Sequence, residues 1–151
     1  MPIPSFPFAS ATSLVRALRQ RKVSSLDLLN AYLKRVDQVN PSINAIVVQD
    51  RRVARAQARK ADEEASRGIW RGPLHGLPMT VKEVFDLKGH ATTMGYPSMT
   101  LNMATEDALA VQRLKAAGAI VFGKSNVPLN NGDIQTYNEV YGTTNNPWDV
   151  T

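Results

Sequence analysis

The chain has no cysteine among its 151 residues. That excludes disulfides, thiol nucleophiles and cysteine metal ligands. Histidine is nearly as scarce. His75 and His90 are the only two, and neither belongs to a cluster with metal-ligand spacing, so both read as loop or surface residues. No run of about 18 uninterrupted apolar residues occurs, so no membrane span is expected. The opening Met1–Phe8 lacks a basic region and a long apolar run, so it does not read as a signal peptide. A cytoplasmic location is the default expectation. There is no Gly-x-Ser-x-Gly elbow, and Ser98 and Ser125 have no evident base beside them, so they read as structural hydroxyls.

What is present is an ordinary globular balance, 43% apolar and 21% charged, at a length that suits about one domain. The net charge of +5 is unevenly spread. Residues 1–72 hold 13 Lys/Arg against 6 Asp/Glu, or +7, and residues 73–151 hold 5 against 7, or −2. A basic half suggests nucleic acid or an acidic surface as partner. These arginines lack the interleaved aromatics on which bases stack, so solvated helix faces are the favoured reading.

The first 70 residues read as mainly helical. Ser10 is placed to cap a helix carrying Leu14, Val15 and Leu18, and Ser24 to cap a second. In the second, Leu26, Leu29, Leu33 and Val36 form one apolar stripe, and it should end before Pro41. A strand is predicted over 43–48. A third helix is predicted over 50–67, with Ala54, Ala58, Ala61 and Ala65 on one face. Residues 71–151 read as an α/β part. A turn-laden Gly72–Pro78 entry feeds a short strand, Met79–Lys82. Thr105 is placed to cap a fourth helix, Gly118 to end it, and Ala119–Phe122 reads as a strand covered on both faces. A helix leading into a buried strand is an α/β arrangement.

Gly118-Ala119-Ile120-Val121-Phe122-Gly123-Lys124-Ser125 fits the letter pattern of a phosphate-binding P-loop. The order of elements opposes it, because a P-loop has its strand before the first glycine and a helix after the Ser/Thr. Gly123 is instead expected to let the strand turn, with Lys124 solvated.

Three ordered segments resemble the amidase signature family. They are Gly72-Pro73-Leu74-His75-Gly76-Leu77-Pro78-Met79-Thr80-Val81-Lys82-Glu83, Asp107-Ala108 through Val127-Pro128, and Asn138 through Asp149. They are similar to the family's strand ending in the catalytic lysine, its helix–strand–loop unit, and the loop leading into its Gly-Gly-Ser-Ser-Gly-Gly motif. The resemblance implies an incomplete α/β amidase core, a mixed β-sheet flanked by helices, with residues 1–151 forming the N-terminal portion of a single amidase domain. It also implies a Ser–cis-Ser–Lys triad acting on a small-molecule amide, without cofactor or metal. By position Lys82 matches the general base. Lysine serves as a base only when neutral, a form that a desolvated site favours, and the apolar neighbours Val81 and Val84 suit that. Glu83 stands where an aspartate is usual. Asn130, Asn131 and Gly132 match positions where relatives line the acyl pocket; substrate contact and ordinary loop both remain open. Asn138 and Asn146 match loop braces.

The Gly-Gly-Ser-Ser-Gly-Gly motif is absent from the 151 residues. The expectation is therefore a fragment inactive by itself. The alternative is a non-catalytic piece or an amidotransferase A-type subunit, completed by a partner chain that carries the serines. Apolar surface left uncovered would favour self-association.

Overall fold

The computed structural model describes residues 8–150. Met1–Pro7 and Thr151 lie outside them, and with them the leaderless reading of the chain's start. The elements in order are α1 (Ala11–Arg19), α2 (Ser25–Ile43), β1 (Ile46–Gln49), α3 (Arg51–Ser66), β2 (Pro78–Lys82), α4 (Leu109–Ala116) and β3 (Ile120–Ser125). The strands form one sheet in the order β1-β3-β2. β1 runs antiparallel to β3, with a bulge between Ile46 and Val48. On the other side of β3, the Ile120 N–H donates to the Leu77 carbonyl and the Glu83 N–H to that of Ser125. These bonds advance along both strands in the same sense, so this pair is parallel and the sheet is mixed, as the resemblance implies.

The contacts divide the chain into two compact units. The first runs to Asp37 and adds Asp50–Met79 and Arg113–Phe122. Ser10 caps α1 by accepting the Ser13 N–H, and Asp50 caps α3 by accepting that of Val53. Ser24 accepts the Asp27 N–H in the first turn of α2. Asp62, on α3, accepts the Ser25 and Leu26 N–H groups at 2.6 and 3.1 Å. A carboxylate there satisfies two orphan donors and complements the helix dipole. The apolar stripes then meet. Leu29 and Leu33 bury against Ala54, Ala58, Ala61, Ile120 and Phe122, with Leu26 and Val36 alongside. Leu14 and Leu18 bury against Leu28 and Leu77. Each buried leucine contributes about 1.5–3 kcal/mol relative to exposure.

The second unit comprises Gln38–Gln49, Thr80–Gln112 and Gly123–Thr151. Long loops dominate it, and asparagines tie them. Asn40 donates to the Ile46 carbonyl and accepts the Ala45 and Ile46 N–H groups. Asn138, buried, donates to Asn126 Oδ1 and the Val127 carbonyl while accepting the Val140 and Tyr141 N–H groups. It is a loop brace, as expected. Asn146 accepts the Trp148 N–H in the same manner.

Four expectations are corrected. α2 continues through Pro41 to Ile43, so the strand expected over 43–48 starts only at Ile46 and ends at Gln49. The Asn44 N–H reaches the Asn40 carbonyl at 2.7 Å and the Ser42 hydroxyl donates to Val39, so the last turn holds although Pro41 donates nothing. α4 begins at Leu109 rather than after Thr105. Asp107 accepts the Lys88 N–H and the Ala108 N–H donates to Asp86, which holds that stretch out of the helix. His75 is buried, not at the surface. Its Nε2 lies 2.9 Å from the Ala61 carbonyl, its Nδ1 accepts the Arg71 N–H, and its ring meets Trp70 edge-on. The fourth concerns Gly123 and Lys124. β3 runs straight through both. A Cβ on Gly123 would collide with the Val48 carbonyl oxygen, so the glycine admits β1 rather than turning the strand. Lys124 is fully buried.

Candidate active site

Lys82 ends β2, with Val81 buried before it and Val84 half-buried after Glu83. Its own side chain is half-buried, and its Nζ donates to Asn131 Oδ1. The amine thus meets the loop that follows β3, in a contact that stays open to solvent. That loop is a tight 3-10 turn, Leu129–Asn131, in which Asn130 and Asn131 adopt φ of 52° and 55°. Asparagine tolerates the left-handed region better than most residues. The Gly132 N–H closes the turn onto the Leu129 carbonyl. Asn130, Asn131 and Gly132 are all exposed. Of the residues singled out from the sequence, Lys82 and Asn131 touch. Asn130 meets Met94 through its backbone N–H, and Gly132 meets Leu129 through its own.

The residue after Lys82 is the one that sequence reasoning undervalued. Glu83 is fully buried. Its Oε1 accepts the Thr93 N–H at 2.6 Å and its Oε2 the Met94 N–H at 3.0 Å, while the Tyr141 hydroxyl lies 3.4 Å from Oε1. Lys124 lies opposite. Its Nζ donates to the Ala91 carbonyl at 2.7 Å and to Thr92 Oγ1 at 3.1 Å, and stands 4.0 Å from Glu83 Oε1. Burial pushes the Lys124 ammonium below the ordinary lysine range, and the attraction of Glu83, then Asp86, offsets this in part. Burial likewise raises the Tyr141 hydroxyl above its usual range. Among the described residues, no buried side-chain nitrogen or oxygen lacks a hydrogen-bond partner. The signal available in the sequence was the apolar run before Lys124. A lysine inside a strand covered on both faces must be paired.

The fold around this site has known counterparts. Residues 27–151 match the family model described as Amidase. The chain is 40% identical over 139 residues to an acylamidase of Rhodococcus erythropolis, covering 92% of this chain and 29% of the relative. It is 39% identical to an indoleacetamide hydrolase of Bradyrhizobium diazoefficiens, over 93% and 27% respectively. It is also 39% identical to the A-type subunit of the glutamyl-tRNA(Gln) amidotransferase of Azoarcus sp., over 95% and 29%. Among solved structures, the peptide amidase from Stenotrophomonas maltophilia aligns with a TM-score of 0.84 at 30% identity, over 96% of this chain and 31% of its own. A fatty acid amide hydrolase shares the fold with a TM-score of 0.90 at 24% identity, over 98% and 27%. The chain thus spans less than a third of the length of the relatives it matches. A mixed sheet whose parallel edge strand ends in Lys82, together with a family match that takes in every residue of that site, has one reading: the chain belongs to the amidase family.

Proposed function

We propose that residues 1–151 supply the lysine part of a Ser–cis-Ser–Lys amide hydrolase, forming the N-terminal portion of one amidase domain. Lys82 is the general base in this reading. Its neutral amine accepts a proton from a bridging serine, which takes the proton of the nucleophilic serine. An acyl-enzyme forms and water resolves it. A carboxylic amide thus yields an acid and ammonia or an amine. Backbone N–H groups of the glycine-rich segment would stabilise the oxyanion. The observation that carries the reading is the direction of the Lys82 amine, which leaves the end of β2 and meets the Asn131 loop. Asn130, Asn131 and Gly132 then border the acyl group of a small-molecule amide. A cytoplasmic location belongs to the same proposal. Among the described residues, no helix is long and apolar enough to cross a membrane.

The 151 residues contain no Gly-Gly-Ser-Ser-Gly-Gly, and members of such a triad act as a unit. The chain by itself is therefore expected to release no ammonia from amides above a Lys82→Ala control. In the complete enzyme, with the serine-bearing segment present, Lys82→Ala should lower kcat by roughly 10³-fold or more. Full activity of that variant overturns the assignment of the base.

A second reading is an amidotransferase A-type subunit that works with partner chains. It is supported by the 39% identity to the amidotransferase chain of Azoarcus sp.. Co-purification of other subunits with the tagged protein at fixed stoichiometry favours it. A catalytically active lone polypeptide favours the simple hydrolase.

A further inference from the structure

Lys82 and Glu83 are consecutive, yet one side chain reaches the surface loop and the other is sealed in the interior. Hydrogen bonds join the two ends into a closed circuit. From Glu83 Oε2 it passes to the Met94 N–H. The Met94 carbonyl then accepts the Asn130 N–H at 2.8 Å. Asn131 follows in the chain, and its Oδ1 accepts from the Lys82 amine. Met94 has a φ of 50°, a conformation that a long unbranched side chain rarely adopts. The bonds to Glu83 on one side and Asn130 on the other hold it there. Lys124 fixes the same loop one step earlier, through the Ala91 carbonyl and the Thr92 hydroxyl.

We propose that Glu83 is a positioning residue for the Lys82 amine, acting through the 91–94 loop and the Asn130–Asn131 turn, with Lys124 locking that loop from the opposite side. This rests on the reading of Lys82 as the base. Glu83 never meets substrate. Its carboxylate takes both the Thr93 and Met94 N–H groups, which fixes where the Met94 carbonyl points and so where Asn131 offers its oxygen. A base must lie within hydrogen-bond reach of its proton in one geometry, and a swinging lysine side chain loses that. A glutamine at 83 keeps the size but presents an NH₂ to one of two N–H groups. An aspartate keeps both acceptors on a shorter arm.

The test uses Lys82→Ala, Glu83→Gln, Glu83→Asp, Asn131→Ala and the Glu83→Gln/Asn131→Ala pair in the complete enzyme, with folding checked by thermal melts. Glu83→Gln and Asn131→Ala should each lower kcat by roughly 10- to 100-fold, the scale of a misplaced catalytic group, with KM little changed. The double variant should lose scarcely more than either single one, because both break the same circuit. Glu83→Asp should recover most of the rate. A second readout needs no turnover. Competitive acylation followed by mass spectrometry should show Lys82 modified roughly fivefold faster in Asn131→Ala and Glu83→Gln, relative to the exposed Lys88. Fivefold corresponds to the loss of one ordinary hydrogen bond.

If Lys82→Ala abolishes turnover while folded Asn131→Ala retains kcat within about twofold, well short of the loss expected of a displaced base, and Lys82 acylation is unchanged, positioning is overturned and the base stands. The exposed Asn131 keeps the test decisive even where Glu83→Gln does not fold. If Lys82→Ala retains full activity, the base assignment fails and the proposal with it. The acylation rates then still report whether the circuit exists.

Discussion

Buried charge decides the outcome at single residues. Removing one partner of a buried ion pair leaves the other uncompensated and costs about 3–5 kcal/mol. Lys124→Met should therefore destabilise the protein on that scale, read from denaturant midpoints, although methionine fills similar space. The exposed pairs behave differently. Arg71 hydrogen-bonds Glu64 and holds its carboxyl below the usual range. A carboxyl with a lowered folded pKa stabilises above its unfolded pKa, and the contribution fades as pH falls through the folded value. Glu64→Gln should flatten the acid side of the stability-against-pH curve, lowering stability above the carboxyl's titration range and leaving it nearly unchanged below that range. The place of Lys82 at the end of a strand was legible because it stands in a motif. Lys124 was not, since a lysine read by type alone is a solvated lysine. Its pairing depends on Glu83, 41 positions earlier in the sequence, and on a loop whose path no periodicity encodes.

Local chemistry predicted the elements well where it acted locally. Ser10 and Ser24 announce α1 and α2, and the alanine face announces α3. Reading failed where a distant group overrode the local signal. α2 outlasts Pro41 because the Asn40 side chain ties the following turn to β1. α4 starts four residues beyond Thr105 because Asp86 and Asp107 hold the stretch between to other partners. The start of α2 makes the point sharpest, since half its cap comes from Asp62, 37 residues away. Asp62→Ala should cost about 1–3 kcal/mol, the penalty of two donors losing a charged acceptor. Ser24→Ala should cost about 1 kcal/mol. Chemical denaturation of both variants checks this, and an unchanged midpoint in Asp62→Ala would mean that the long-range cap is idle.

At the scale of the whole molecule, the apolar side chains left outside are large. Leu101, Trp148 and Ile134 are 89%, 94% and 102% exposed. The 151-residue chain should bind a hydrophobic dye and associate with rising concentration, which sedimentation would register; a monodisperse monomer at high concentration would refute this. The strand order carries a consequence for synthesis. Among the described residues, β1 and β2 are joined only through β3, which follows both in the chain. During translation this three-stranded sheet cannot close until residue 125 has cleared the ribosome, and the helices must keep the growing polypeptide soluble until then. A polypeptide cut before Ile120 would hold two strands and no means of joining them.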